Sequence, residues 1–357
     1  MKYSVIIPVF NRPDEVEELL DSLSSQDYKG DFEVVVVEDG SSVPCKDVVS
    51  RYSGKLDVKY FVKPNSGPGP SRNYGVERAR GEYVIILDSD CVLPEGYLSA
   101  VDESLGHEPA DAFGGPDCAH DSFTPIQKAI SYSMTSFFTT GGIRGGKKKM
   151  DKFYPRSFNM GVRRKVYEEL GGFSRMRFGE DIDFSIRIFK GRYSCRLIPE
   201  AWVWHKRRTD LDKFFKQVFN SGIARINLHK RHPGSMKLVH LLPMLFTVGV
   251  IGLVVAALVL RFVGNGGVPF GHTVIEWWLV TLIPVLLYCL MIFVDSSVQN
   301  RSMVIGFLSV EAAFVQLFGY GLGFIKAWWE RCVLNRGEFA AYEKNFYDLC
   351  SCSEAEY

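Results

Sequence analysis

The sequence predicts an α/β domain, with a mainly parallel central sheet flanked by helices, followed by an α-helical membrane region. Three observations carry that expectation. Up to about residue 237 apolar runs alternate with charged ones, whereas 238–260, 274–294 and 303–324 are continuous apolar stretches, each near the ~20 residues a membrane-spanning helix needs. Five consecutive apolar or aromatic residues, Tyr83–Leu87, read as a strand buried on both faces. That run stops abruptly in Asp88-Ser89-Asp90, and ligands of open α/β sheets sit at the carboxyl ends of strands.

Residues 3–10 form the first strand, with Pro8 near its end, where a missing N–H is tolerated. Asn11-Arg12-Pro13-Asp14 starts a helix whose Val16, Leu19, Leu20 and Leu23 share one face. Residues 32–37 make a second buried strand, and 56–62 a third that alternates more and so belongs nearer an edge. The Pro- and Gly-rich 63–70 is a rigid loop, 71–80 a helix, and Tyr83–Leu87 the fourth strand. This order is a nucleotide-binding α/β layout. No G-x-G-x-x-G follows the first strand and no Walker lysine is present, which argues against a dinucleotide enzyme or a P-loop NTPase. Further on, 112–116 is a short strand entering a turn, 157–164 leads into a helix through Leu170, and a helix follows 180–183. Residues 195–204 read as one strand ending at His205.

The net charge of +1 over 357 residues excludes a nucleic-acid binder built on bulk electrostatics. The eight cysteines include no C-x-x-C pair, the pattern of buried thiols in a reducing compartment. The N-terminal apolar run is too short for a signal peptide and ends in Pro8. The α/β domain is therefore expected in the cytoplasm, anchored by the apolar segments.

Carboxylates at i and i+2 on a strand end can lean toward one hard cation, and Mg²⁺ or Mn²⁺ so held usually shares its shell with phosphate. The alternative for Asp88 and Asp90 is a solvated acidic turn. Asp39, in a Gly-Ser turn after the second strand, either caps that turn or accepts a hydrogen bond from a base or ribose. The basic loop 143–152, with Arg144, Lys147, Lys148 and Lys149, is either solvated or placed at a phosphate. Glu180, Asp181 and Asp183 crowd a helix start, where the dipole favours them. On chemistry alone any of the three suits a general base.

Together these pieces resemble the inverting family 2 glycosyltransferases of GT-A fold. The resemblance rests on SVIIPVFNR, VVVVEDGSS, NSGPGPSRNYGVERARGEYVIILDSD and NMGVRRKVYEELGGFSRMRFGEDIDFSIRI, in that order between about residues 3 and 188. It implies a nucleotide-sugar site formed by Pro8, Phe10, Asp39, Arg72 and Asp88, with Asp39 at the base and Arg72 beside the nucleotide. It implies a divalent metal, Mn²⁺ or Mg²⁺, on Asp90, with His205 as a further ligand. It also selects Asp181 as the catalytic base, leaving Glu180, Lys147 and Arg144 as further candidates. Such a site displaces a nucleoside diphosphate from the anomeric carbon: the metal stabilises the leaving pyrophosphate and the base takes the acceptor proton on the opposite face. One displacement inverts the configuration. The Q-x-x-R-W motif of processive members is missing where Gln217 stands without a following Arg-Trp, which favours transfer of one sugar or a few.

The expected organisation is a catalytic domain at 1–208, a basic amphipathic linker helix at 209–237, two to three transmembrane helices within 238–326, and a tail at 327–357. The linker interleaves Phe214, Phe215, Val218 and Phe219 with Lys213, Lys216 and Arg225. Such a helix lies on an anionic membrane surface or packs against the catalytic domain. Basic density before 238 places that side in the cytoplasm, giving a multi-pass protein of the cell (inner or plasma) membrane. The third apolar segment carries Glu311 and Gln316 and leads into a basic tail, so either it packs polar groups in a bundle or it does not fully cross. The leading expectation is a transferase moving one sugar from a UDP- or GDP-sugar to a lipid-linked or envelope glycan. A polyprenyl-phosphate glycosyltransferase and a non-catalytic membrane binding protein with a transferase-like fold are the alternatives.

Overall fold

The computed structural model describes residues 1–118, 123–140, 153–206, 208–263, 266–270 and 273–338. In chain order the elements begin β1 (Tyr3–Val9), α1 (Pro13–Ser24), β2 (Phe32–Asp39), α2 (Lys46–Ser50), β3 (Asp57–Lys63), α3 (Pro68–Val76) and β4 (Tyr83–Leu87). They continue as β5 (Cys91–Val92), α4 (Tyr97–His107), β6 (Ala112–Gly114), β7 (Asp117–Cys118), α5 (Pro125–Thr135), α6 (Phe137–Thr140), β8 (Asn159–Arg163) and α7 (Arg164–Glu169). Next come α8 (Glu180–Lys190), β9 (Cys195–Leu197), β10 (Val203–His205), α9 (Leu211–Arg231) and α10 (Leu242–Val263). The strands β11 (Gly267–Phe270) and β12 (Thr273–Glu276) precede α11 (Trp277–Asn300) and α12 (Met303–Trp328).

The chain forms two compact units. The first is the α/β unit, whose sheet has the order β3-β2-β1-β4-β8-β6-β9. Its β3-β2-β1-β4 half is parallel throughout, while β8 runs antiparallel to both β4 and β6. This is the mainly parallel GT-A sheet the sequence predicts. Its strands are apolar on both sides because both faces are covered. Tyr83, Ile85 and Leu87 of β4 join one core with Leu19, Leu20 and Leu98, and Val84 and Ile86 join the other with Phe184 and Ile188.

Three local expectations are corrected. Residues 159–163, read only as an approach to a helix, are the strand β8, in which Gly161 makes room for the Phe113 ring. The stretch 195–204 is not one strand: the turn after Pro199 divides it into β9 and β10, which belong to different sheets. The helix expected at 71–80 begins at Pro68, whose fixed φ suits a first turn. The short α2 was not anticipated.

The second unit is helical. Three of its helical segments, Leu238–Val263, Trp277–Asn300 and Met303–Val333, are long and apolar enough to cross a membrane. It takes up α9 as well as the described residues 123–140, which the sequence reading kept inside 1–208. α5 opens on a reciprocal Thr124–Gln127 capping box and places Ala129, Ile130 and Met134 in a core with Phe214, Val218, Ile305 and Ala312. The apolar stripe of the linker helix α9 is therefore buried against α5 and α12.

Candidate active site

The carboxyl ends of β2 and β4 supply the carboxylates, and neighbouring elements bring cations to them. Asp88 closes β4 and accepts from Arg72 Nη2 at 2.8 Å; Arg72 Nη1 donates to Glu180 Oε1 at 2.9 Å. Arg72 thus bridges the strand end to the first turn of α8. It reaches there because α3 lies close on the sheet: a Cβ on Gly75 would meet Ile6 Cγ2 at 2.6 Å. Buried, the guanidinium loses solvation, but the two carboxylates more than offset this and hold it charged.

The acids of α8 separate by partner. Gly179 enters the helix with φ 83°, a left-handed cap suited to glycine. Asp183 accepts from Ser174 Oγ at 2.7 Å and Arg187 Nε at 3.0 Å, so its task is to fasten the helix. Glu180 is taken by Arg72. Asp181 accepts from Arg156 Nε at 2.6 Å and from Ile182 N at 2.8 Å. Burial pushes its carboxyl up, yet the Arg156 ion pair wins and holds it below the usual carboxylate range. Glu180 goes the other way: burial, with Asp181 beside it, raises it in spite of Arg72.

His205 and Asp90 meet through strand pairing. β10 runs antiparallel to β5 with His205 opposite Cys91, and Lys206 N donates to the Asp90 carbonyl at 3.1 Å. His205 Nε2 lies 3.2 Å from Asp90 Oδ1, and Nδ1 lies 4.0 Å from Asp117 Oδ2. The ring of Phe158 stacks on the imidazole at 4.8 Å. Arg12 Nη1 reaches Asp90 Oδ2 at 3.3 Å and Glu15 at 2.5 Å.

A divalent cation fits these donors. Two ligand atoms at about 2.1 Å from an octahedral ion lie roughly 3 Å apart, the separation of His205 Nε2 and Asp90 Oδ1. Cys91 Sγ joins the same cluster within 4.8 Å, but burial pushes that thiol far up. The remaining oxygen and nitrogen donors suit Mg²⁺ or Mn²⁺.

Asp39 joins a separate cluster. It accepts from Lys63 Nζ at 2.6 Å and from the N–H groups of Ser66 and Gly67, both at 2.9 Å, so it does cap the loop 64–67. Gly40, at φ 70°, allows that turn, since a Cβ there would lie 2.7 Å from Asn65 N. Pro8 is half-buried at the end of β1 and Phe10 is exposed just beyond it. Arg144 and Lys147 lie outside the described residues. The sequence reading missed Arg12, Arg156, Asp117 and Phe158. Arg12 stands in the quoted FNR stretch, but no spacing connects Arg156 to Asp181 or Phe158 to His205.

The carboxyl edge of this mainly parallel sheet thus presents Asp39, Asp88 and Asp90, each with a basic side chain on it. Residues 4–171 match the family model "Glycosyl transferase family 2", and the chain carries a domain of that family. Over 93 residues it is 45% identical to poly(ribitol-phosphate) β-N-acetylglucosaminyltransferase TarS of Staphylococcus aureus, covering 25% of this chain and 16% of that protein. Over 116 residues it is 39% identical to the GalNAc(5)-diNAcBac-PP-undecaprenol β-1,3-glucosyltransferase of Campylobacter jejuni, covering 32% of this chain and 37% of that protein. The chain thus spans well under half the length of these two relatives. The fold is also that of the mannosyltransferase PcManGT from Pyrobaculum calidifontis, solved with GDP-Man and Mn²⁺. There the TM-score is 0.63 at 17% identity, covering 92% of this chain and 88% of that one.

Proposed function

We propose that this chain is a membrane-anchored glycosyltransferase. It moves one sugar from a UDP- or GDP-sugar to a lipid-linked or envelope glycan acceptor, with inversion. The observation that carries the reading is the pairing of a 3.2 Å Asp90–His205 couple with the Arg72 bridge between Asp88 and Glu180. In this reading Asp90 and His205 hold Mn²⁺ or Mg²⁺. Bound there, the ion supplies charge stabilisation for the departing diphosphate. Arg72 holds Asp88 in place beside the nucleotide, and Asp39, steadied by Lys63, borders the base.

Asp181 accepts the proton of the acceptor hydroxyl. Its lowered pKa, set by Arg156, keeps it ionised at neutral pH and ready to accept. Arg156 must then yield one of its contacts as the acceptor arrives. The three apolar helical segments and the chain's similarity to a transferase named for an undecaprenol-linked glycan support a membrane location and a lipid-linked acceptor, with the catalytic unit in the cytoplasm.

A donor screen on the purified full chain, scoring nucleoside diphosphate release with membrane lipids supplied, tests this. One UDP- or GDP-sugar should be consumed in a Mn²⁺- or Mg²⁺-dependent manner. Asp90→Ala and excess chelator should each abolish transfer. Undiminished turnover in chelator would remove the metal from the reading, and no release from any donor would remove the activity.

A further inference from the structure

Resting on the reading of the helical unit as membrane-bound, we propose that α12 does not cross the bilayer. It lies along the surface on the side of α9, and only α10 and α11 cross. The first ground is a helix hairpin. α10 and α11 are joined by the paired strands β11 and β12, so the start of α10 and the end of α11 emerge on one side. α12 touches both. Ser309, in its first half, hydrogen-bonds Ser296 near the end of α11 at 2.7 Å. Its Leu317 carbonyl accepts from Thr247 Oγ1, near the start of α10, at 3.2 Å. A helix that crossed beside them would leave one of those two ends behind.

The second ground is α9. Its 21 residues carry Lys213, Lys216, Arg225, Lys230 and Arg231, too many charges to enter hydrocarbon. Yet α12 and the turn after it accompany α9 from end to end. Phe214 and Val218 share a core with Ile305 and Ala312. Midway the backbones meet: a Cβ on Gly222 would lie 2.2 Å from the Tyr320 carbonyl oxygen, and one on Gly323 would lie 2.0 Å from that of Phe219. At the far end Arg331 Nε donates to Asn227 Oδ1 at 3.0 Å, and Arg231 meets Glu338 at 3.3 Å. The greater part of α12 therefore runs beside a helix that stays at the water boundary.

Exposure agrees. In α10 only Thr247 and Ala257 are buried, and in α11 only Ile292 and Ser296, as in helices wetted by lipid all round. α12 instead buries one whole face, including Ile305, Ala312, Leu317, Gly321 and Phe324. Its exposed stripe sets Val304, Phe307 and Leu322 beside Glu311, Lys326 and Trp329. Such a mixture suits the headgroup boundary; a carboxylate at Glu311 facing hydrocarbon would be costly.

The test is sidedness of labelling in the full chain, in sealed right-side-out and inside-out vesicles. A membrane-impermeant maleimide is applied and the modified residues are located by peptide mass spectrometry. Cys332 is the native reporter for the end of α12, exposed just beyond it. Lys216→Cys reports α9, and Val268→Cys reports the hairpin between α10 and α11. Cys332 and Lys216→Cys should label in the same vesicle orientation, and Val268→Cys only in the other. Labelling of Cys332 from the side of Val268→Cys, or from neither side, overturns the proposal. All three labelling from one side would instead overturn the membrane-spanning reading of α10 and α11 on which it rests.

Discussion

At the residue scale the protonation of Asp181, the proposed catalytic carboxylate, is set by its partner. The helix end at Gly179 and the acidic run made Asp181 a candidate, but the low pKa expected from the helix dipole has a nearer cause in Arg156. Asp181→Asn keeps size and hydrogen bonding while removing basicity. It should bind donor almost normally and lose on the order of 10²–10⁴ in turnover; Glu180→Gln or Asp183→Asn losing turnover in its place would show the role lies elsewhere. The pH profile follows with a definite sign. Arg156 favours the ionised form, so in wild type the acid limb falls below the ordinary carboxylate pKa. In Arg156→Gln burial is no longer opposed, the Asp181 pKa rises, and the acid limb of kcat should move to higher pH. An unmoved limb would mean another group sets it.

At the element scale, sites are made by strand register. His205 reaches Asp90 only because β10 pairs with β5 opposite Cys91, and β5 is two residues long. Nothing in its composition marks it as a strand. The same holds for β8, whose Asn159 receives a hydrogen bond from Tyr97 at 2.6 Å and donates to the Ala201 carbonyl at 2.8 Å. A Cβ on Gly161 would lie 2.0 Å from Phe113 Cζ. Gly161→Ala should therefore destabilise the α/β unit by about 1–3 kcal/mol, as overpacking of a full core does. Thermal unfolding followed by tryptophan fluorescence measures this, and an unchanged midpoint would mean that the β8–β6 layer relaxes freely.

At the scale of the whole chain, residues 123–140 belong with the helical unit although they lie between parts of the other. Cutting the chain after Lys206 removes α9 and α12 and uncovers Ala129, Ile130 and Met134 of α5. The truncated protein should still bind nucleotide, since its carboxylates and their basic partners remain. It should need detergent to stay monomeric on size exclusion and should transfer poorly to a lipid acceptor. A fragment that is monomeric without detergent and as active on that acceptor as the full chain would reduce the helical unit to a tether.

The sequence by itself determined the strands buried on both faces, the acids at their ends, the basic linker helix and the apolar segments. Each of these is a local matter, written in runs and periods of neighbouring residues. It also ranked Asp181 above Glu180 and Asp183 only through the family resemblance, because three adjacent acids carry the same local signal. Only the tertiary structure decided that Asp88 meets Arg72 from α3 and Asp181 meets Arg156 from the stretch before β8. It also supplied the β10 register behind the Asp90–His205 pair that the resemblance implied. Those pairings join residues 16 to 115 positions apart, and an ion pair at such a separation leaves no periodicity for a sequence to show. The course of α12 was hidden for the same reason. Its apolar composition suits a spanning helix and a buried one alike, and only its neighbours, α9 above all, distinguish the two.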